Sequence, residues 1–415
     1  MKVAVVGGGI VGIATTHVLL DSGHEVTILD PRGFAQGASA GNAGWIAHLD
    51  VLPLASSKAW RQVPGWLLDP LGPFAIRPSY LPRITPWLLR FAAASRPARV
   101  RASTEAITAL NRLALPAWER LLGRLNLAGH LRRRGLLSVW TSQAAFNAAT
   151  STIAYQRCHG IPVTTLDAAG VRALEPALRG PVVAGAHYET GCHVSDPQRF
   201  ALALGAAALA RGASLIEQAV DVVSPQQEGV DLHCFGGATG LFDAVVIAAG
   251  VWSKSLARTL GDGVPLDTER GYNVTLAPGS LGLTRPVLFE GKGFVTTPLD
   301  TGDRVGGAVE FGGLNATPNF ARVDAMLSKL RPYLPQARLA GGERWMGFRP
   351  SLPDSLPVIA AATGEPRVIY AFGHGHYGLT QAAATAELVA GLLARRETLI
   401  DLRPFAIDRF RHLFA

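Results

Sequence analysis

The chain predicts a Rossmann-type α/β domain combined with an α+β domain built on an antiparallel sheet. Three observations lead there. The first thirty residues read as strand, glycine turn, helix and strand. A second buried strand pattern, "FDAVVIAAGVWS" (Phe242–Ser253), returns far downstream. Between Val264 and Glu310, short alternating strands are separated by Gly and Pro, as in an antiparallel sheet. With 415 residues there is room for two domains, and 48% apolar against 17% charged residues describes a well-cored globular chain.

The opening element is "KVAVVGGGIVGIATTHVLLDSGHEVTILD". Gly7 permits the turn, Gly9 admits a pyrophosphate to the backbone, and Gly12 lets helix and strand pack closely. The helix opens at Ile10 and Val11, so its free N–H groups and positive dipole end face phosphate. Asp30, flanked by Pro31 and Arg32, ends the second strand where a carboxylate accepts both ribose hydroxyls. That carboxylate disfavours a 2′-phosphate, which leaves NAD and FAD.

Three further stretches select FAD. "GFAQGASAGNAGWIA" brings Ser39, Asn42, Ala43, Gly44 and Ile46 in a small-residue run suited to packing against a pyrophosphate and a flat ring. The second strand ends in Ala249-Gly250, with Trp252 following. "FGHGHYGLTQAAATAELVAGLLARR" carries Gly373, Gly375, Tyr377, Gly378, Leu379 and Thr380 into an Ala/Leu helix starting near Leu379. Its N-terminal amides suit the carbonyl edge of a flavin.

The domains are expected to interleave. Residues 1–50, 180–260 and 343–415 form the FAD-binding domain, and 51–179 with 261–342 form the substrate-binding domain. The helical pattern "TEAITALNRLALPAWERLLGRL" is expected to kink or split at Pro116. A helix is expected from about Pro197, and "NFARVDAMLSKLRPYL" reads as one amphipathic helix.

The net charge of +8 admits nucleic acid, anionic lipid or an acidic substrate as partner. No basic run is interleaved with aromatics, so nucleic acid is the weakest of these. Cys158, Cys192 and Cys234 lie far apart without a CxxC, which fits a reducing compartment and gives no metal site. The apolar start continues into a second strand instead of a cleavage site, and no apolar run reaches the ~18 residues of a spanning helix. The expected location is cytoplasmic. "PGWLLDPLGPFAIRPSYLPRITPWLLRF" and the positive charge suggest contact with the cytoplasmic face of the inner membrane and a quinone. An Arg-rich solvated surface over a helical lobe explains them equally well.

Within "RWMGFRPSLPDSLPVI", Arg349 sits among apolar neighbours. A guanidinium there needs an anion, and its planar fork suits a carboxylate. Gly347 admits something flat and Pro350 stiffens the segment. An ion pair to Asp354 or Glu343 is the structural alternative, and Glu310 is a further candidate partner.

The ordered set of Gly7–Asp30, "ASAGNAGWIA", "ERGYNVTL", "RVGGAVEFGG", "GFRPSLPD" and "GHGHYGLT" spans the whole chain. It resembles the FAD-dependent D-amino-acid oxidase superfamily, above all the bacterial D-amino-acid dehydrogenases and their hydroxyproline-oxidising relatives. The resemblance implies that Arg349 grips the α-carboxylate of an amino acid above the flavin, and that the Val220 backbone meets adenine. It implies hydride transfer from the α-carbon to flavin N5, with electrons passing to a quinone or another acceptor besides oxygen. An oxygen-using oxidase of the glycine or sarcosine type remains the alternative. Relatives with a tethered flavin carry a cysteine where this chain has Met346, so FAD is expected to be non-covalent.

Tyr272 is expected either to join the carboxylate clamp or to pack as a core aromatic. His48 and His374 are expected to border the substrate, His374 and its neighbour His376 as loop histidines beside the flavin. The stretch "GNAGWIAHLDVLPLAS" leans towards a cyclic imino acid such as D-proline or hydroxy-D-proline. An NAD-dependent dehydrogenase and a non-enzymatic FAD-stabilised scaffold are the competing classes.

Overall fold

Strand Lys2–Val6 carries four consecutive buried residues because both of its faces are covered. Val3 and Val5 join Ile28, Val246 and Ile369 in one apolar cluster with helices Ile10–Asp21 and Gly378–Leu393. Ala4 and Val6 join Val245, Ile247 and Tyr370 in a second, on the other face. The computed structural model describes residues 1–55 and 71–410. Its first sheet has six strands in the order Ser214–Ile216, Glu25–Leu29, Lys2–Val6, Ala244–Ile247, Glu365–Phe372 and Val358–Ala362. The pairings are parallel except for the last, which is a hairpin.

The second sheet has nine strands and holds the antiparallel core expected between Val264 and Glu310. Asp267–Leu276 lies between Glu343–Ser351 and Gly302–Phe311, antiparallel to both. Phe294–Leu299 and Val287–Phe289 follow, then Leu136–Trp140, Ala184–Tyr188 and Val163–Asp167. Helix Ala321–Leu330 covers one face through Val323, Met326 and Leu330.

Sheet pairing divides the chain differently from expectation at three places. Glu343–Ser351 and Ala184–Tyr188 hydrogen-bond into the second sheet, although both fall in segments assigned to the FAD-binding domain. Helix Pro97–Leu125 instead buries Ile107, Leu110 and Trp118 in the core of the first domain. Trp118 Nε1 donates to the carbonyl of Leu379 at 2.9 Å, tying this helix to the start of Gly378–Leu393.

Pro116 does not split its helix. Proline removes the hydrogen bond to the carbonyl four residues earlier. Here both Pro116 and Arg112 are exposed, so the missing bond falls on the solvent face, while Ala117, Trp118, Leu121 and Leu122 hold the following turn in the core.

Among the described residues no helix is long and apolar enough to cross a membrane. Of the apolar stretch proposed for membrane contact, residues 64–70 lie outside the described residues. The remainder forms strand Phe74–Ile76 and helix Leu81–Ala94, where Leu81 and Leu89 are exposed but Ile84 and Trp87 are buried.

Candidate active site

A cavity of about 1060 Å³ runs from the ends of the parallel strands to the antiparallel sheet. That is at the upper limit for ordinary ligand pockets, and a dinucleotide plus a small substrate accounts for the size. At one end lies the glycine turn. Gly7 has a φ of +119°, and a Cβ there would fall 2.4 Å from the Ala248 carbonyl oxygen. A Cβ on Gly12 would lie 1.9 Å from the Gly7 oxygen, so this glycine serves helix–strand packing and does not border the cavity. Helix Ile10–Asp21 has no side-chain cap on Gly9, although Ser39 Oγ accepts from the Ile10 amide at 3.0 Å. First-turn amides are thus left for an anion.

Asp30 accepts from the amides of Gly8 (2.9 Å) and Arg32 (3.0 Å), which fixes its carboxylate at the cavity edge. Pro31 borders the same end, and the Arg32 guanidinium lies 5.3 Å from the Trp252 ring centre. Val220, Ala249 and Gly250 complete this end. Further in come Ile10, Val11, Asn42 and Ala43, then Gly347 and the Gly373–Leu379 loop.

Gly44, Ile46 and Thr380 stand behind this lining. Gly44 has a φ of +87° and donates to Asn42 Oδ1, Ile46 is a core residue, and Thr380 Oγ1 accepts from Ala47 N at 2.8 Å. Helix Gly378–Leu393 has no side-chain cap, and its first residues Gly378 and Leu379 line the cavity. Glycine turn, edge carboxylate and two uncapped helix starts together fit FAD. No cysteine lines the cavity, and of the three free thiols only Cys158 is exposed. A thioether tether therefore has no partner among the described residues.

Arg349 lies on strand Glu343–Ser351 directly opposite Glu269. Its guanidinium lies across Gly271, where a Cβ would be 2.4 Å from Cζ. A glycine inside a strand marks such a close approach, and this signal was available in "RGYNV". Arg349 Nη1 donates to the Ala308 carbonyl at 3.0 Å. Neither anion proposed as its structural partner nearby in sequence takes it: Asp354 pairs with Arg409 at 2.8 Å, and Glu343 forms no ion pair with it among the described residues. Burial lowers its pKa and the charge of Glu269 opposes that. An arginine with most of its five donors free remains cationic and open to a two-point anion.

The flat group that requires Gly347 is internal. The indole of Trp345 lies over both Gly347 and Gly41, where added Cβ atoms would sit 1.9 and 2.1 Å from ring carbons. Asn273 Nδ2 donates to the Gly41 carbonyl, and Arg304 Nη1 donates to that of Asn42 at 2.6 Å. The second sheet thus holds the small-residue loop in place. Trp345 and Arg304 carried no sequence signal for holding this loop, because Gly41 and Asn42 lie more than 250 residues before them.

Of the two expectations for Tyr272, clamp member or core aromatic, its hydroxyl contacts fit the second. Its ring reaches the cavity wall, but the hydroxyl donates to Glu310 Oε2 at 2.6 Å and accepts from Asn319 N at 3.1 Å. Glu310 holds Arg77 (3.2 Å) and Arg270 (3.0 Å), not Arg349. His48 is corrected. Its Nδ1 is 3.0 Å from the Ile46 carbonyl, and the residue does not line the cavity.

His374 lines the cavity, but its Nε2 sits 3.0 Å from the Thr385 hydroxyl. Burial pushes its pKa down to about 3, so the ring is neutral. His376 meets the buried Glu269 at 2.7 Å, and Ser351 Oγ donates to the other oxygen at 2.5 Å. Burial favours the protonated form of Glu269, but the charge and hydrogen bond of His376, the Ser351 hydroxyl and the charge of Arg349 together bring its pKa below the ordinary value.

Comparison with known proteins agrees with this geometry. Residues 2–392 match the DAO family model, described as FAD dependent oxidoreductase. The chain is 36% identical to a D-amino-acid oxidase of Bradyrhizobium diazoefficiens, over 98% of both chains. It is 31% identical to D-amino acid dehydrogenase 2 of Ralstonia nicotianae, over 99% of this chain and 100% of the other. Its fold matches glycine oxidase from Geobacillus kaustophilus with a TM-score of 0.78 at 24% identity, covering 98% and 99% of the two chains. The cradle, the family match and the fold lead to one identification: this chain is an FAD-dependent oxidoreductase of the DAO family.

Proposed function

We propose that this enzyme oxidises a D-amino acid at its α-carbon, with Arg349 as the anchor for the α-carboxylate. The observation that carries this reading is a half-buried guanidinium with one carbonyl partner among the described residues, lining a cavity large enough for FAD. Bound FAD supplies the acceptor for the α-hydrogen and its electron pair. The chain's own residues do the rest. Arg349 fixes the carboxylate in two-point fashion, and Gly271 leaves room for that fork. Glu269, secured by His376 and Ser351, opposes Arg349 and keeps it oriented. Aromatic walls from Phe74, Trp87, Phe91 and Phe311 exclude water and favour an apolar or cyclic side chain, in line with D-proline or hydroxy-D-proline.

The acceptor is proposed to be a quinone or another molecule besides oxygen. The names of the dehydrogenase relatives support this, as do exposed Leu81 and Leu89 on an arginine-bearing helix suited to an anionic membrane surface. The name of the relative at 36% identity favours the second reading, an oxygen-using oxidase. Anaerobic mixing of the yellow holoenzyme with D-proline or D-alanine tests the activity, since an oxidised flavin that never bleaches excludes it. Peroxide yield under air, set against dye reduction under argon, decides the acceptor.

A further inference from the structure

Most charged and hydroxyl groups around the cavity already have partners. Glu269 holds His376 and Ser351, His374 holds Thr385, Tyr272 holds Glu310, and Arg304 holds Asn42 and Thr275. Asp30 and Arg32 stand at the fingerprint end. Asp221 follows Val220 at that same end, and the remaining carboxylate that lines the cavity among the described residues is Asp50, hydrogen-bonded to the Tyr377 hydroxyl.

A chain of contacts links Asp50 to Arg349. Arg349 lies opposite Glu269, Glu269 bonds His376, and the next residue, Tyr377, bonds Asp50. The backbone bearing Asp50 is held by buried amides from two helices. Asn111 Nδ2 donates to the Asp50 carbonyl at 2.8 Å and is itself bonded by Gln381. Gln156 Nε2 donates to the Leu49 carbonyl at 2.9 Å. Three amides at most 4% exposed thus support one turn, which positions a functional group more firmly than a free loop does.

A zwitterion anchored by its carboxylate on Arg349 presents an ammonium group, and an ammonium has no electron pair with which to assist loss of the α-hydrogen. We propose that Asp50 receives that ammonium and accepts one of its protons. The N–H bond breaks, an O–H bond forms on the carboxylate, and the electron pair stays on nitrogen; no electron is transferred in this step. The inference rests on the proposed amino-acid reading. The groups acting on Asp50 are Tyr377, whose hydroxyl stabilises the ionised form, and Glu290, whose charge opposes it; Tyr188 lies within its field. Burial, the largest influence, and Glu290 move its pKa up to about 7, where a general base works best near neutrality.

The test is the anaerobic rate of flavin bleaching by D-proline from about pH 5.5 to 10, in wild type, Asp50→Asn and Asp50→Glu. In the wild type the rate climbs with pH to a plateau as Asp50 ionises. Asp50→Asn is expected to lose on the order of 100-fold at neutral pH. It recovers only at the higher pH where the free amine sheds its own proton, and Asp50→Glu restores part of the low-pH rate. A second readout uses α-aminoisobutyrate, which has no α-hydrogen to lose. Its binding at neutral pH weakens in Asp50→Asn and does so less in Asp50→Glu.

Two results overturn the assignment: an Asp50→Asn profile that superimposes on the wild type, or one lowered equally at every pH with an unmoved midpoint. A wild type bleached by no D-amino acid at any pH removes the amino-acid reading itself. Bleaching in the wild type with an unaltered Asp50→Asn profile removes only the role of Asp50.

Discussion

The two faces of strand Asp267–Leu276 handle arginine in opposite ways. On one, Arg270 is fully buried and gripped through both terminal nitrogens: Glu310 at 3.0 Å, the Ala316 and Thr317 carbonyls, and the Phe348 ring within 5.8 Å. Arg77 and Tyr272 converge on the same glutamate. On the other face Glu269 and Gly271 meet Arg349, whose single hydrogen bond among the described residues goes to a carbonyl. Burial alone therefore does not mark a ligand-binding arginine. The distinguishing feature is the absence of a carboxylate gripping the fork, with a cavity in its place.

This contrast is easiest to break at Arg349. Arg349→Ala is expected to keep FAD and fold but to lose about three orders of magnitude in the specificity constant, from the 2–5 kcal/mol that follows removal of one partner of a buried charge pair. An unchanged specificity constant for D-proline in steady-state assays would remove it from the site. Arg270→Ala should act on stability instead. Leaving Glu310 short of a partner is expected to destabilise by about 3–5 kcal/mol, read as a lower urea midpoint with little change in the KM of the folded fraction. A KM shift matching that of Arg349→Ala would erase the difference between the faces.

Gly271→Ala sharpens the comparison, since its methyl would meet the Arg349 guanidinium. A displaced fork is expected to raise KM by roughly tenfold, at the lower end of the 1–3 kcal/mol of overpacking, with FAD absorbance retained. Unaltered kinetics would place the guanidinium elsewhere. The smallest effect is expected from Tyr272→Phe, which deletes the donor to Glu310 and the acceptor for Asn319 N. It should cost about 1–2 kcal/mol in thermal or urea unfolding while KM stays put. A large rise in KM would return Tyr272 to the carboxylate clamp.

Tyr272 also shows where sequence reading stops. In "ERGYNVTL" a tyrosine three residues after a glutamate gives no sign of which face its hydroxyl serves. Glu310 claims it from a neighbouring strand. His48 illustrates the same limit at shorter range, because the Ile46 carbonyl takes its Nδ1 and the residue does not line the cavity. Gly271 is the legible counterexample: a glycine between Arg270 and Tyr272 in a strand has few purposes besides close approach.

What the sequence alone determined is local. The apolar run, Gly7-x-Gly9-x-x-Gly12 and Asp30 lie within one βαβ unit, where spacing dictates geometry, and the glycine loop before Gly378 announces a helix start in the same way. Tertiary structure decided which polar groups stay unsatisfied at the cavity. Arg349 is available because Asp354 went to Arg409 and Glu310 to Arg270, and Asp50 lines the cavity because Asn111, Gln156 and Gln381 secure its backbone while Tyr377 meets its side chain. Availability is a property of all the competing partners at once, and those partners meet only when the two sheets close on each other.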